Sequence, residues 1–279
     1  MKTEVTQEQI DSYQKNGFVV IDEFLTPQEL EMWREAVDEA VNNRGQQRIL
    51  GRTEALSEDD YYTNVFVQRV NLWQDNEKVR KLMIDARLGK LAADLAGVEG
   101  IRIWHDQALI KQPWSNPTGW HLDNPYWSFH SRDAISIWVA LDDATVHNGC
   151  LYFLPGTHKL ATFDNVNIGH NIGSLFKVYP EWAKLEAVPA PMKAGSCSFH
   201  NGLIAHGAGA NMTPGLRRAM TCAYMPDGST FNGQRNILRP EQIERLQIGD
   251  VLDDDRQVPL IYHRSKPYVT LETLPALER

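Results

Sequence analysis

"IRIWHDQALIKQP" (101–113) is where the chain changes period. Before it, apolar residues recur at helical spacing. From it onward they gather in short β-rich runs: "AISIWVALDDAT" (134–145), "GCLYFLPG" (149–156), "GSCSFHNG" (195–202) and "RRAMTCAYMP" (217–226). Gly, Pro and Asn separate these runs. Short strands at such spacing predict an antiparallel sandwich or barrel.

Working back from 101, the segments read as helices around one or two strands. "TQEQIDSYQKNG" (6–17) is a helix capped by Thr6 and stopped at Gly17. "FVVIDEFL" (18–25) has strand composition. In "TPQELEMWREAVDEAVNN" (26–43), Pro27 opens a helix whose apolar stripe is Leu30, Trp33, Ala36, Val37, Ala40 and Val41. Two shorter helices are expected near 75–84 and 87–97. The fold class is therefore mainly β, with helices packed outside an antiparallel, double-layered β-core. One domain is expected over 1–279: a helical region to about 99, the β-core over about 100–230, and a C-terminal extension from about 231. The irregular insert 160–187 and the segment 44–75 are candidate specificity loops. "RQVPLIYHRSKPYVTL" (256–271) either folds back over the core or meets another subunit.

Composition narrows the partners. With 28 Lys and Arg against 36 Asp and Glu, the formal charge is −8. That balance excludes a general basic field for nucleic acid or an anionic membrane. The apolar runs are far shorter than a membrane span. The three cysteines, Cys150, Cys197 and Cys222, form no C-x-x-C pair, which suits a reducing compartment. A cytoplasmic protein acting on a small molecule is expected, as a monomer or a homodimer.

The chemistry concentrates in "GWHLDNPYW" (119–127). On a strand, residues two apart share a face, so His121 and Asp123 would project together, roughly 7 Å apart at the α-carbons. A buried carboxylate needs a cation or several donors. A divalent metal satisfies both groups. A third ligand is available in "HNGLIAHGAGAN" (200–211), where His206 precedes glycines that permit close backbone approach. Arg217 follows eleven residues on, and a hairpin through "NMTPG" (211–215) would set it on a strand adjacent to that of His206. Two imidazoles and one carboxylate form the facial triad of non-haem Fe(II) oxygenases. Zinc is possible with the same donors, but it has no use for Arg217. A guanidinium suits the distal carboxylate of a dicarboxylic 2-oxoacid.

The sequence resembles the phytanoyl-CoA dioxygenase family of Fe(II)/2-oxoglutarate oxygenases from about residue 8 to about 226. The resemblance is carried by "YQKNGFVVIDEFLTPQEL" (13–30), "GWHLD" (119–123), "IWVALDDATVHNGCLYFLPGTHK" (137–159) and "FHNGLIAHGAGAN" (199–211) followed by Arg217. It implies a double-stranded β-helix, or jelly roll. It assigns iron binding to His121, Asp123 and His206, and 2-oxoglutarate binding to Arg217, with Gln107 and Trp138 as further contacts. His200 competes with His206 for the third position; the family spacing to Arg217 favours His206. A serine or threonine often follows the distal histidine by two residues, and here that position is Ala208. The implied reaction consumes O2 and 2-oxoglutarate, releases succinate and CO2, and oxidises an unactivated C–H bond. Related halogenases replace the carboxylate with a small residue, so Asp123 favours hydroxylation or another oxygenase outcome such as desaturation or ring formation. Two competing functions are a sensor that binds metal and 2-oxoacid without catalysis, and a zinc-dependent hydrolase.

Other conspicuous residues have plainer expectations. His105 and Asp106 are adjacent, so a strand aims them oppositely. Arg218 points away from the site into an ion pair. Asp142, Asp143 and His158 belong to strand ends and turns. Trp120 faces away from His121, and Tyr126 or Trp127 lines the substrate pocket. Lys111 is expected to be solvated.

Overall fold

The computed structural model describes residues 1–50 and 61–275. The N-terminal elements are α1 (Gln7–Asn16), β1 (Phe18–Ile21), α2 (Pro27–Arg44), β2 (Val67–Val70), α3 (Leu72–Asp75), α4 (Glu77–Met83) and α5 (Ala86–Ala96). The core strands follow: β3 (Gly100–Lys111), β4 (Thr118–His121), β5 (Ile135–Ala140), β6 (Leu151–Phe153), β7 (Val188–Ala190), β8 (Cys197–Asn201), β9 (His206–Ala208) and β10 (Arg217–Pro226). A short α6 (Pro240–Ile243) and β11 (Leu260–His263) complete the chain.

Eight strands make the jelly roll. β3, β10, β5 and β8 lie side by side in one sheet, and β4, β9, β6 and β7 in the other. From β3 to β10 the chain thus passes between the sheets at each step except β6 to β7, which pair as neighbours in the smaller sheet, as in a double-stranded β-helix. The larger sheet gains β1 beside β8, and β2 and β11 against β3. The C-terminal segment therefore folds back onto the core through its pairing with β3.

Local chemistry explains the helices. Thr6 and Thr26 each accept from the backbone N–H three residues on, and Gln9 and Glu29 return the bond, so both α1 and α2 begin with reciprocal caps. α2 buries Trp33, Ala36, Val37 and Ala40, while Leu30 and Val41 at the edges of the stripe are only half-buried. These side chains and those of α5 cover the outer face of the larger sheet. β5 shows the consequence: Ile135, Ile137 and Val139 pack under the helices, while Trp138 and Ala140 face the second sheet. Both faces are buried, so this strand reads as an unbroken apolar run.

The insert 160–187 lies over the smaller sheet. Its turns at Ser174–Lys177 and Pro180–Lys184 bury Leu175, Tyr179 and Trp182 against Leu122, Leu154 and Leu203. Trp120 is half-buried beside Phe176, on this outer side. No helix among the described residues is long and apolar enough to cross a membrane.

Two expectations need correction. His206 and Arg217 do not sit on adjacent strands of one hairpin: β9 belongs to the smaller sheet and β10 to the larger, so the 209–216 connection crosses between layers. Asp123 is not on a strand either. β4 ends at His121, and Asp123 has helical backbone angles, φ −79° and ψ −52°, at the start of a tight turn over Asn124–Tyr126. Of the proposed specificity segment 44–75, residues 51–60 lie outside the described residues, as do 276–279 of the C-terminal extension.

Candidate active site

Between the two sheets lies a cavity of about 440 Å³, walled by β3, β5 and β10 on one side and by β4 and β9 on the other. His121 and His206 are paired directly across β4 and β9, with ring centres 4.2 Å apart. Gly207 permits that approach: a β-carbon there would stand 2.8 Å from the Thr118 carbonyl oxygen. Asp123 reaches the same point from the turn, held by its N–H donating to the Gly202 carbonyl at 3.0 Å. Its Oδ1 lies 3.5 Å from His121 Nε2 and 3.7 Å from His206 Nε2. Each of the three residues offers a donor atom, and these all fall within 4.8 Å of one another.

The hydrogen bonds behind the rings fix how they present themselves. Nδ1 of His121 meets the Gly119 carbonyl at 2.8 Å, and Nδ1 of His206 meets the Ile204 carbonyl at 3.0 Å. A carbonyl can only accept, so each ring carries a proton on Nδ1 and presents its Nε2 towards Asp123. Burial pushes the His206 imidazole down to about 3, which keeps it neutral and able to ligate. Burial alone would raise the Asp123 carboxyl, yet His206, His121 and His200 hold it well below the usual range. Two imidazoles presenting Nε2 and an ionised carboxylate on one side of a partly open cavity fit a divalent first-row metal with vacant positions for other ligands.

His200, on β8, stands behind this group. Its Nε2 is 3.4 Å from Asp123 Oδ2, and Ser136 Oγ donates to the same oxygen at 3.5 Å. The structure thus places His200 against the carboxylate oxygen that the other two histidines leave free.

Arg217 opens β10 and is buried to 2 % exposure, though no carboxylate pairs with it among the described residues. Its guanidinium stacks 5.2 Å over the Trp138 ring, Nη1 donates to the Leu109 carbonyl at 3.4 Å, and Nε has no partner. Burial pushes the group down to about 10, still cationic at neutral pH. Trp138 Nε1 and Thr118 Oγ1 are also buried without partners, and all three residues line the cavity. Unpaired buried donors beside a candidate metal site make a cradle for an anionic oxygen ligand. Gln107 lines the same cavity, its Oε1 accepting from Gln68 Nε2. Thr118 escaped the sequence reading, because a threonine three residues before His121 carries no motif of its own. Arg48, Phe66 and Gln68 also line the wall, from within the segment 44–75.

The remaining residues sort cleanly. His105 faces the cavity, while Asp106 turns away and accepts from the Leu72 and Trp73 N–H groups at 2.8 and 2.7 Å. Arg218 pairs with Asp142 and Asp38. Asp143 pairs with Lys193 and accepts from the Ala194 N–H. Tyr126 and Trp127 both line the cavity. Lys111 is not solvated: it is fully buried, with Nζ donating to the Val65 and Asn116 carbonyls at 3.2 and 2.6 Å. Burial, with the Arg217 charge behind it, pushes its ammonium down to about 6.

This arrangement is that of a 2-oxoglutarate-dependent non-haem iron oxygenase. The chain belongs to the phytanoyl-CoA dioxygenase family, whose model matches residues 13–219. It is 26 % identical over 258 residues to the human peroxisomal phytanoyl-CoA dioxygenase, covering 88 % of this chain and 75 % of that one. Among solved structures it is similar to SnoK, a non-haem α-ketoglutarate-dependent carbocyclase of nogalamycin biosynthesis. That match has 27 % identity, a TM-score of 0.76, and coverage of 92 % of this chain and 96 % of the other. The epimerase SnoN, solved with Fe3+, α-ketoglutarate and nogalamycin RO, is 25 % identical with a TM-score of 0.71, covering 91 % and 98 %.

Proposed function

We propose that one oxygenase domain spanning this chain hydroxylates a small organic molecule in the cytoplasm, with Fe(II) held by His121, Asp123 and His206. The observation that carries this reading is the triad of donor atoms within 4.8 Å, beside a buried guanidinium that has no carboxylate among the described residues. Arg217 takes the distal carboxylate of 2-oxoglutarate, Trp138 packs beneath the guanidinium, and Thr118, Trp138 and Gln107 offer further polar contacts to the cosubstrate. When bound, iron supplies O2 activation coupled to cosubstrate decarboxylation.

The chain's own residues set the stage for that chemistry. The Gly119 and Ile204 carbonyls orient the two imidazoles, and His200 and Ser136 hold the outer oxygen of Asp123. Phe66, Trp127 and Leu109 line the cavity and keep bulk water from the oxidising centre. The three buried, unbridged thiols suit a reducing cytoplasm. A cavity this size, walled by few cations, suits a small substrate better than a coenzyme A thioester.

The test is O2-dependent succinate formation from 2-oxoglutarate, screened against a metabolite library. A substrate that stimulates succinate release in the wild type, with loss in His121→Ala and Asp123→Ala, supports the reading. Full turnover in either variant rejects it. Zinc-dependent hydrolysis without O2 would support the hydrolase instead, a reading that leaves Arg217 without a role.

A further inference from the structure

Arg48 is a second cation on the cavity wall that the metal and cosubstrate do not use. Its backbone lies beside β2, where the Val70 N–H donates to the Arg48 carbonyl at 2.8 Å, and Val70 stands opposite Gln107 on β3. Arg217 stands opposite Lys111, four residues further along the same strand. Four residues of strand separate the two attachment points by about 13 Å. A five-carbon diacid seated on Arg217 and chelating the metal leaves Arg48 free for another ligand.

The Arg48 side chain is half-buried and lines the cavity, and its Nε is sealed from water without a hydrogen-bond partner. No carboxylate pairs with it among the described residues. Among the described residues, Asp123 is the one acidic residue on the cavity wall, and the metal claims it. Charge then decides what is missing. A ferrous ion cancels the 2-oxoglutarate dianion, and Arg217 cancels Asp123. The Arg48 charge remains, with no counter-charge on the cavity wall among the described residues.

Neighbouring donors point the same way. His105 faces the cavity with its buried Nδ1 unpartnered. Asn236 accepts from Trp104 Nε1 at 3.2 Å through Oδ1, which leaves its amide N–H group as a donor on the cavity wall. It holds that position with φ 38°, a left-handed conformation maintained against its cost. Trp127 packs edge-on to His105, ring centres 6.0 Å apart, and lines the same cavity. This end of the cavity thus combines one guanidinium, neutral donors and an aromatic wall.

We propose that the substrate is a small, largely apolar molecule bearing one carboxylate, which Arg48 binds with His105 and Asn236 beside it. The proposal rests on the oxygenase reading and adds the class of substrate. Arg48 is then the residue that selects acids over their neutral analogues.

The experiment uses anaerobic protein loaded with Fe(II) and saturating 2-oxoglutarate. Binding of aryl- and alkyl-substituted acetates, propanoates and butanoates is measured by calorimetry, each against its primary amide. The acids are expected to bind about tenfold tighter than the amides, or more. Arg48→Gln is expected to remove that preference and Arg48→Lys to keep part of it, with 2-oxoglutarate affinity retained in both. Equal binding of acids and amides across the wild-type panel overturns the proposal without reference to any variant. Retained preference in folded Arg48→Gln overturns it too. A phosphonate arm checks the charge: tighter binding of the dianion than of the matching carboxylate contradicts the single-charge assignment. Failure of 2-oxoglutarate itself to bind the wild type sinks the oxygenase reading instead.

Discussion

Thr118 stands directly opposite Ala208 across the β4–β9 pair, and its buried hydroxyl lines the cavity without a hydrogen-bond partner. Ala208 occupies the position where the family resemblance leads one to expect a hydroxyl. The partner strand therefore carries the hydroxyl that β9 lacks.

Thr118→Val is accordingly expected to raise the KM for 2-oxoglutarate by roughly tenfold to a hundredfold, the worth of one hydrogen bond to a charged group. The kcat should change little, and Thr118→Ser should restore the KM. Steady-state kinetics at varied 2-oxoglutarate checks this. An unchanged KM in Thr118→Val contradicts a contact from the Thr118 hydroxyl.

His200 approaches Asp123 Oδ2 at 3.4 Å without belonging to the cluster of three donors that could hold a metal. His200→Ala is expected to weaken Fe(II) binding by roughly tenfold to a hundredfold, as for groups that orient a ligand, while leaving the metal able to bind. Anaerobic Fe(II) titration checks the size of the loss. Complete loss, equal to that of His206→Ala, would make His200 a ligand.

Lys111 gives stability a pH dependence. Its folded value, about 6, lies below its ordinary value of 10.5, so between these limits the unfolded chain binds a proton that the folded chain does not. Its contribution is fully present above the unfolded value and is lost as pH falls towards 6. The unfolding free energy should therefore rise with pH between about 7 and 9, with a contribution of up to about 1.4 kcal/mol per pH unit. A neutral amine has two N–H groups for its two carbonyl acceptors, which suits the observed bonding. Urea denaturation at several pH values, in the wild type and in Lys111→Met, checks the assignment. An identical slope in both proteins contradicts it.

Much of this was legible in the residues, and the rest depended on what strands do to one another. β5 announces itself because two buried faces leave only apolar and small residues in a row, Ile135–Ala140. The caps at Thr6 and Thr26 are local, so their sequence signatures suffice. The pairing of His121 with His206 follows from family spacing, but the route to Arg217 does not. A loop that crosses between sheets and one that turns within a sheet look alike at eight residues. Asp123 was expected on the strand because alternation alone put it there; the turn at Asn124–Tyr126 brings it to the same cavity by another path. Lys111, Thr118 and Arg48 were missed or misjudged for one shared reason. Their significance lies in which partners they lack or find in three dimensions, and composition does not encode that.

Anaerobic addition of 2-oxoglutarate to the Fe(II)-loaded protein, followed by visible absorption, tests the central claim most directly. The account predicts a weak chelate band in the wild type, its loss in His206→Ala and Asp123→Ala, and a shift to much higher 2-oxoglutarate concentration in Arg217→Met. A band of wild-type strength and midpoint in His206→Ala or Arg217→Met would contradict a single iron and cosubstrate site built from these residues.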